Sequence, residues 1–310
     1  MSGQTRAVLL TGASGFVGQP TLDALLARGI QVHAVSRRAP PANREGVTWH
    51  SADLLDATAR RELIAQTKPT HLLHLAWYVE HGKFWTAPEN ANWLDASLDL
   101  LQLFGDCGGR RALLSGSSAE YDGARGSVGP LHETDPCRPN TPYGHAKLAL
   151  FDQATKLSQS AGFSLAWARF FLMFGFHENP RRFIPSIIHG LLAEEPIDLT
   201  SGRQVRDFLD TRDVAAALAA LLDSSISGAV NIGSGRAVTL RQVGEMLAVI
   251  AGRSEKLLSF GALPDREGEA KSLVADTTRL TNEAEYRPAH TLEQRLAECL
   301  QWHRQQMRQN

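Results

Sequence analysis

The sequence predicts a doubly wound α/β fold, a parallel sheet covered by helices on both faces, followed by a smaller α/β lobe. Three observations predict it. A glycine-rich turn, Thr11-Gly12-Ala13-Ser14-Gly15-Phe16-Val17-Gly18, joins an apolar run to an amphipathic stretch. Apolar runs and helical periods then alternate as far as Phe171, which is the order of βαβ units. Beyond Phe174 that alternation is lost, and Pro180, Pro185, Pro196, Pro264 and Pro288 punctuate the chain. The boundary is therefore drawn between residues 175 and 176, with 205–232 expected to return to the sheet.

Arg6 to Leu10 reads as a buried strand and Phe16 to Ala27 as a helix stopped by Gly29. Gln31 to Ser36, Val47 to His50 and His71 to Ala76 are the next strands, with a helix over Ala57 to Gln66. Asn92 to Phe104 is helical, Arg111 to Ser115 a strand, Tyr143 to Ser160 a long helix and Ser164 to Phe171 a strand. Asp213 to Leu222 and Val230 to Ile232 supply the expected return to the sheet.

At 310 residues and a formal charge of −1, with no run of Lys or Arg, the chain is an ordinary soluble composition with no electrostatic footprint for nucleic acid. Cys107, Cys137 and Cys299 show neither paired nor CxxC spacing, so neither a disulfide framework nor a thiolate metal site is expected. Ala7-Val8-Leu9-Leu10 is too short for a signal segment, and no stretch is apolar enough to span a bilayer. The expectation is a cytoplasmic protein without a membrane partner.

The glycine turn lets the backbone approach a pyrophosphate at a helix N-terminus, the device of a Rossmann dinucleotide site. Gly12, Ser14, Gly15, Phe16 and Val17 are its contact residues. At the end of the second strand, Ser36-Arg37-Arg38 stands where a ribose-binding acid is usual, and guanidinium forks suit a 2′-phosphate. NADP(H) is therefore preferred, with NAD(H) possible. Asp53 and Leu54 lie where an adenine would rest, and Leu75 and Ala76 would line the cofactor. His71, His74 and His81 have no ligand at a completing distance in sequence, so no metal is expected.

Tyr143 and Lys147 share a helix face at a spacing of four, so the ammonium can favour the phenolate, and Ser117 ends the preceding strand. Ser117, Tyr143 and Lys147 are the candidate catalytic set: a hydrogen-bond donor to a carbonyl oxygen, a proton donor and acceptor, and a cation that also reaches a ribose. They describe hydride transfer at a carbon bearing oxygen.

With TGASGFVG, YxxxK at 143–147 and SSAEYD at 117–122, the chain resembles the extended short-chain dehydrogenase/reductases of the nucleotide-sugar epimerase/dehydratase/reductase type, over nearly its whole length. Phe174-Gly175-Phe176 is similar to that family's YGP, Val205-Arg206-Asp207-Phe208 to its RDF segment, and residues 264–269 to its PxRxGE. The resemblance implies Arg206 and Arg266 as ligands of a nucleoside diphosphate, with Ser118, Asn179 and Asn231 as further candidate substrate contacts. It also implies a homodimer through a four-helix bundle of the helices at 92–104 and 143–160. Family 4,6-dehydratases carry Asp-Glu where this chain has Ser118-Ala119, and 3,5-epimerase/reductases carry a Cys and a His where it has Ala119 and Arg182. The expectation is an NADP(H)-dependent 4-keto reductase of a nucleotide-activated sugar. Alternatives are a 4-epimerase holding NAD, a reductase of a non-nucleotide carbonyl, and a non-catalytic NADP(H) sensor.

Overall fold

The computed structural model describes residues 6–37, 44–121 and 129–309. Strands β1 (Val8–Thr11), β2 (Val32–Ser36), β3 (Val47–Ser51), β4 (His71–His74), β5 (Arg111–Ser117) and β6 (Ser164–Phe170) are joined by helices α1 (Gly18–Leu26), α2 (Ala57–Thr67), α3 (Glu89–Asp106) and α4 (Pro142–Ala161). Then follow β7 (Leu172–Phe174), α5 (Phe183–Ala193), β8 (Ile197–Leu199), β9 (Val205–Arg206), β10 (Phe208–Asp210), α6 (Thr211–Asp223) and β11 (Gly228–Ile232). The seven-stranded sheet has the order β11-β6-β5-β4-β1-β2-β3, and every neighbouring pair in it is parallel.

Both faces of the sheet are covered, which explains why its strands are continuous apolar runs. Successive residues of β1 divide between two cores. Val8 and Leu10 pack with Leu22 and Leu25 of α1 and Val214 and Leu218 of α6. Leu9 packs on the opposite side with Leu63 of α2, Leu100 and Phe104 of α3, and Leu150 and Ala154 of α4. A third core gathers Ile184, Ile187 and Leu191 of α5 with α7 (Leu240–Ala251) and α9 (Leu292–Gln309), α8 being the short Thr278–Asn282.

Most expected boundaries shift by one to three residues, and two of the shifts have a visible cause. The first helix begins at Gly18 rather than Phe16, because residues 12–17 are all spent on the turn. The strand at 71–76 stops at His74, because the Leu75 and Ala76 amides turn to the Thr11 hydroxyl at 3.2 and 3.3 Å. The strand order reverses between β1 and β4, so the glycine turn, Leu75, Ala76 and the end of β5 all face one crevice. Among the described residues, no helix is long and apolar enough to cross a membrane.

Candidate active site

The glycine turn is held tightly from behind and left open in front. Thr11 Oγ1 lies 2.7 Å from His74 Nδ1, and His74 Nε2 lies 2.9 Å from the Ser97 hydroxyl. Burial pulls His74 down to about 3, so it is a neutral packing residue between β1 and α3. A Cβ on Gly18 would lie 2.0 Å from the Gly12 carbonyl oxygen and 2.8 Å from Ala13 Cα, both backbone atoms. Gly18→Ala is therefore expected to cost about 1–3 kcal/mol and to abolish stabilisation by added dinucleotide, read as Tm with and without ligand. In front, Ser14 and Gly15 are exposed and Phe16 and Val17 half-buried. Gly15 N is spent on the Gly12 carbonyl at 2.9 Å, which closes the turn, and the exposed main chain at the helix N-terminus fits a pyrophosphate.

The Ser14 hydroxyl lies 3.2 Å from that of buried Ser36. Arg37 is exposed beside it, and Arg38 lies outside the described residues. Asp53 is exposed, with Oδ1 accepting from Leu55 N at 3.0 Å, while Asp56 caps α2. The cap of α2 is thus Asp56 and not Asp53. Leu54 is buried, and Leu75 and Ala76 are half-buried.

Across the crevice, α4 starts at Pro142 after Thr141, whose hydroxyl accepts from Gly144 N at 3.1 Å. This cap fixes the first turn, where Tyr143 sits. Phe84, Trp85 and Trp77 surround the Tyr143 ring edge-on at 4.9, 5.7 and 6.5 Å between centroids, and Tyr143 N donates to Trp85 O at 3.1 Å. The Ser117 hydroxyl, which accepts from Ala119 N at 3.2 Å, is near enough to the phenol to favour its ionised form. One turn on, Lys147 Nζ donates to the Ser115 carbonyl at 2.9 Å and rests 3.7 Å from the Trp77 ring centroid. The three candidate catalytic residues therefore converge at the C-terminal ends of the strands.

Their electrostatics differ from the expectation. Burial pushes Tyr143 up to about 12, so in the chain alone the phenol is protonated rather than acidified. Lys147, 2% exposed, is pulled down to about 7 by the same cause. The cation that does favour the phenolate is Arg182, which precedes α5 and pairs with Glu178 at 3.0 Å. Glu178 is itself pushed up to about 7 by burial. Sequence reasoning noted Arg182 only as a replacement for a family histidine, and missed the aromatic wall. The signal for that wall was present in the spacing of Trp77, Phe84 and Trp85 just after β4.

The candidate substrate residues are distributed differently. Ser118 is buried beside Ser117. Asn179 is half-buried and its Oδ1 accepts from Arg181 N at 2.9 Å, an Asx turn. Arg206, 5% exposed, donates to Glu269 at 2.6 Å and to the Ala270 carbonyl at 2.9 Å, so its ion-pair partner is neither Asp207 nor Glu267. Asp207 is instead buried, accepting from Ser234, Gly235 and Ala275. Arg266 is exposed; burial first, and then Arg182, Arg181 and Arg266, disfavour a charge on His81. Asn231 is fully buried, accepting from the Tyr121 hydroxyl at 2.6 Å and donating to Leu131 O at 2.7 Å. It is a structural residue, not a substrate contact, because its amide is consumed inside the protein.

The chain matches the NAD dependent epimerase/dehydratase family over residues 8–233. It belongs to that family. It is an NAD(P)-dependent enzyme of the extended short-chain dehydrogenase/reductase, nucleotide-sugar type. It is 28% identical to the UDP-glucose 4-epimerase of Rhizobium leguminosarum bv. trifolii, covering 98% of each chain. It is also 28% identical to the dTDP-6-deoxy-L-talose 4-dehydrogenase (NAD(+)) of Aggregatibacter actinomycetemcomitans, over 76% of this chain and 86% of that one. The solved UDP-glucose 4-epimerase of Thermus thermophilus in complex with NAD superposes with a TM-score of 0.86 at 25% identity, over 96% of this chain and 99% of the other.

Proposed function

We propose that this chain moves hydride at C4 of a nucleoside-diphosphate sugar, and that its working direction is 4-keto reduction with NADPH. The observation that carries the site is the meeting of Ser117, Tyr143 and Lys147 at the strand ends, facing the glycine turn across the crevice. A dinucleotide held at residues 12–17, Leu75 and Ala76 would supply or accept the hydride. Ser117 holds the substrate oxygen, Tyr143 gives that oxygen its proton, and Lys147 and Arg182 offset the negative charge left on the phenol. The exposed Arg266, with Arg206 once Glu269 yields, receives the diphosphate from the region after residue 175. Ser118 and Ala119 supply no acid or base for elimination, and the nearby Glu120 is fully buried on Arg169.

The exposed Arg37 after β2 supports NADP(H) and hence an exchangeable reductant. Arg37→Ala should weaken NADPH binding about tenfold while leaving NADH unchanged, measured by cofactor fluorescence. Equal affinity of the wild-type chain for both cofactors would remove the NADP(H) reading. A second reading, a 4-epimerase that retains NAD, is favoured by the Rhizobium relative, which matches along nearly the full length of both chains. Purified protein carrying stoichiometric NAD and interconverting C4 epimers would establish it. A thermal-shift panel of GDP, UDP, CDP and dTDP with each cofactor tests the substrate class; no shift with any of them argues for a non-nucleotide carbonyl.

A homodimer through α3 and α4 is part of the proposal. Leu94 and Leu98 on α3, with Leu148 and Phe151 on α4, remain half-exposed on the outer helical layer. A cytoplasmic location is also part of it, and the three free cysteines suit a reducing compartment.

A further inference from the structure

Directly beneath the candidate catalytic residues lies a carboxylate that the hydride-transfer chemistry does not use. Glu120 follows Ser117 in the short 3₁₀ turn Ser118–Glu120 and is fully buried. One of its oxygens accepts from Ser117 N at 2.7 Å. Both accept from Trp167 Nε1 at 3.0 Å, and the second also accepts from Arg169 Nε at 2.8 Å. Arg169 is held in turn by the Tyr121 hydroxyl at 3.2 Å and the Glu133 carbonyl at 3.1 Å. The space around the carboxylate is filled: a Cβ on Gly116 would lie 2.2 Å from Trp167 Nε1 and 2.8 Å from Glu120 Oε1.

A buried ion pair is weak evidence for stability, since apolar packing of similar volume often serves as well. This pair does something more specific. Its free lone pair is spent on the main chain of the residue whose hydroxyl meets the Tyr143 phenol. We propose that Glu120 is a positioning residue of this site, whose buried carboxylate, clamped by Arg169 and Trp167, fixes Ser117 against Tyr143. The inference rests on the reading of Ser117 and Tyr143 as the acid–base pair.

The surrounding charges agree with this placement. The groups that sense Glu120 are Arg169 on β6, Tyr143 and Lys147 on α4, and Cys137 in the loop before α4. Its negative charge disfavours the Tyr143 phenolate and favours the Lys147 ammonium, whereas the Ser117 hydroxyl favours the phenolate. Charge and position therefore act on Tyr143 with opposite signs.

That opposition gives the test. Glu120→Asp keeps the charge beside Arg169 but shortens the reach to Ser117 N, so the Ser117 hydroxyl is held less well against the phenol and Tyr143 should titrate higher. Glu120→Gln keeps an acceptor for Ser117 N but loses the charge, so Tyr143 should titrate lower. The titration is read by alkaline pH-jump absorbance of the tyrosinate before unfolding, with the other tyrosines subtracted using Tyr143→Phe protein. It needs no substrate, so it stands or falls separately from the proposed function. In a turnover assay, Glu120→Asp should lower kcat about tenfold with KM and cofactor Kd within about twofold, the scale of one charge-assisted hydrogen bond. Unchanged or lower titration of Tyr143 in folded Glu120→Asp protein overturns the inference. Failure of Glu120→Asp to fold also overturns it, because the carboxylate would then serve the fold alone.

Discussion

Tyr143→Phe should lower turnover by about 10²- to 10⁴-fold while leaving dinucleotide affinity within about twofold. The size follows from removing the proton donor while retaining the ring. Phe84, Trp85 and Trp77 pack edge-on with the aromatic ring, and Tyr143 N keeps its bond to Trp85 O, so none of these contacts depends on the hydroxyl. The phenol is pushed up to about 12 in the chain alone, so it enters the reaction as an acid, which suits carbonyl reduction. In the oxidative direction the same group must first ionise. Oxidation of the alcohol should therefore rise with pH across the alkaline range, and that limb should vanish in the variant. A Tyr143→Phe enzyme with near wild-type kcat on its own substrate would remove Tyr143 from the chemistry.

Lys147→Met should be comparably inactive, and it should also change the dependence of stability on pH. Folding buries the ammonium and pulls it from 10.5 to about 7. Between those values the unfolded chain holds a proton that the folded chain has released, so stability rises with pH from about 7 to about 10.5. Below about pH 7 the full burial cost is present. The Ser115 carbonyl and the Trp77 face each recover part of it by favouring the charged form. Methionine has no such cost, so the variant should be more stable at pH 6 than the wild type, by on the order of a few kcal/mol, and should lose the rise towards alkaline pH. Thermal unfolding at about pH 6 and about pH 9 checks this. A variant less stable than wild type at both values would mean that Lys147 contributes more through its contacts than its burial costs.

The sheet and the central residues of the crevice were legible because they depend on local pattern. An apolar run, a glycine turn and a helix with Tyr and Lys on one face can be read within windows of about a dozen residues. What sequence alone did not yield was set by distant partners. Arg206 meets Glu269, Asn231 meets Tyr121, and Arg182 acts on Tyr143 from the far side of the crevice, each across scores of residues. The sign of the Tyr143 shift was missed for a related reason. Four-residue spacing places an ammonium near a phenol, but only packing decides how dry the pair becomes. Lys147 turned out to be directed at Ser115 and Trp77, both brought there by other strands and loops.

The return of the chain to the sheet at Gly228–Ile232 bears on how this protein can be cut or rebuilt. The composition shift near residue 175 invites division there into two exchangeable modules. Yet β11 forms the outer strand of the sheet along the whole length of Ala166–Phe170, and Arg111 of β5 donates to the carbonyls of Leu221, Leu222 and Ile226 on the way to it. A fragment ending at 175 would lack α6 over one face of the sheet and would present the β6 edge unpaired, an invitation to pair with another chain. The expected return of 205–232 to the large sheet holds only for its last strand: Val205–Arg206 pairs with 238–239 and 272–273 in a small separate sheet, and Asp207 is held by Ser234, Gly235 and Ala275. Chimeras that exchange substrate recognition should therefore replace 176–207 and 233–309 together, leaving 208–232 with β7, α6 and the sheet.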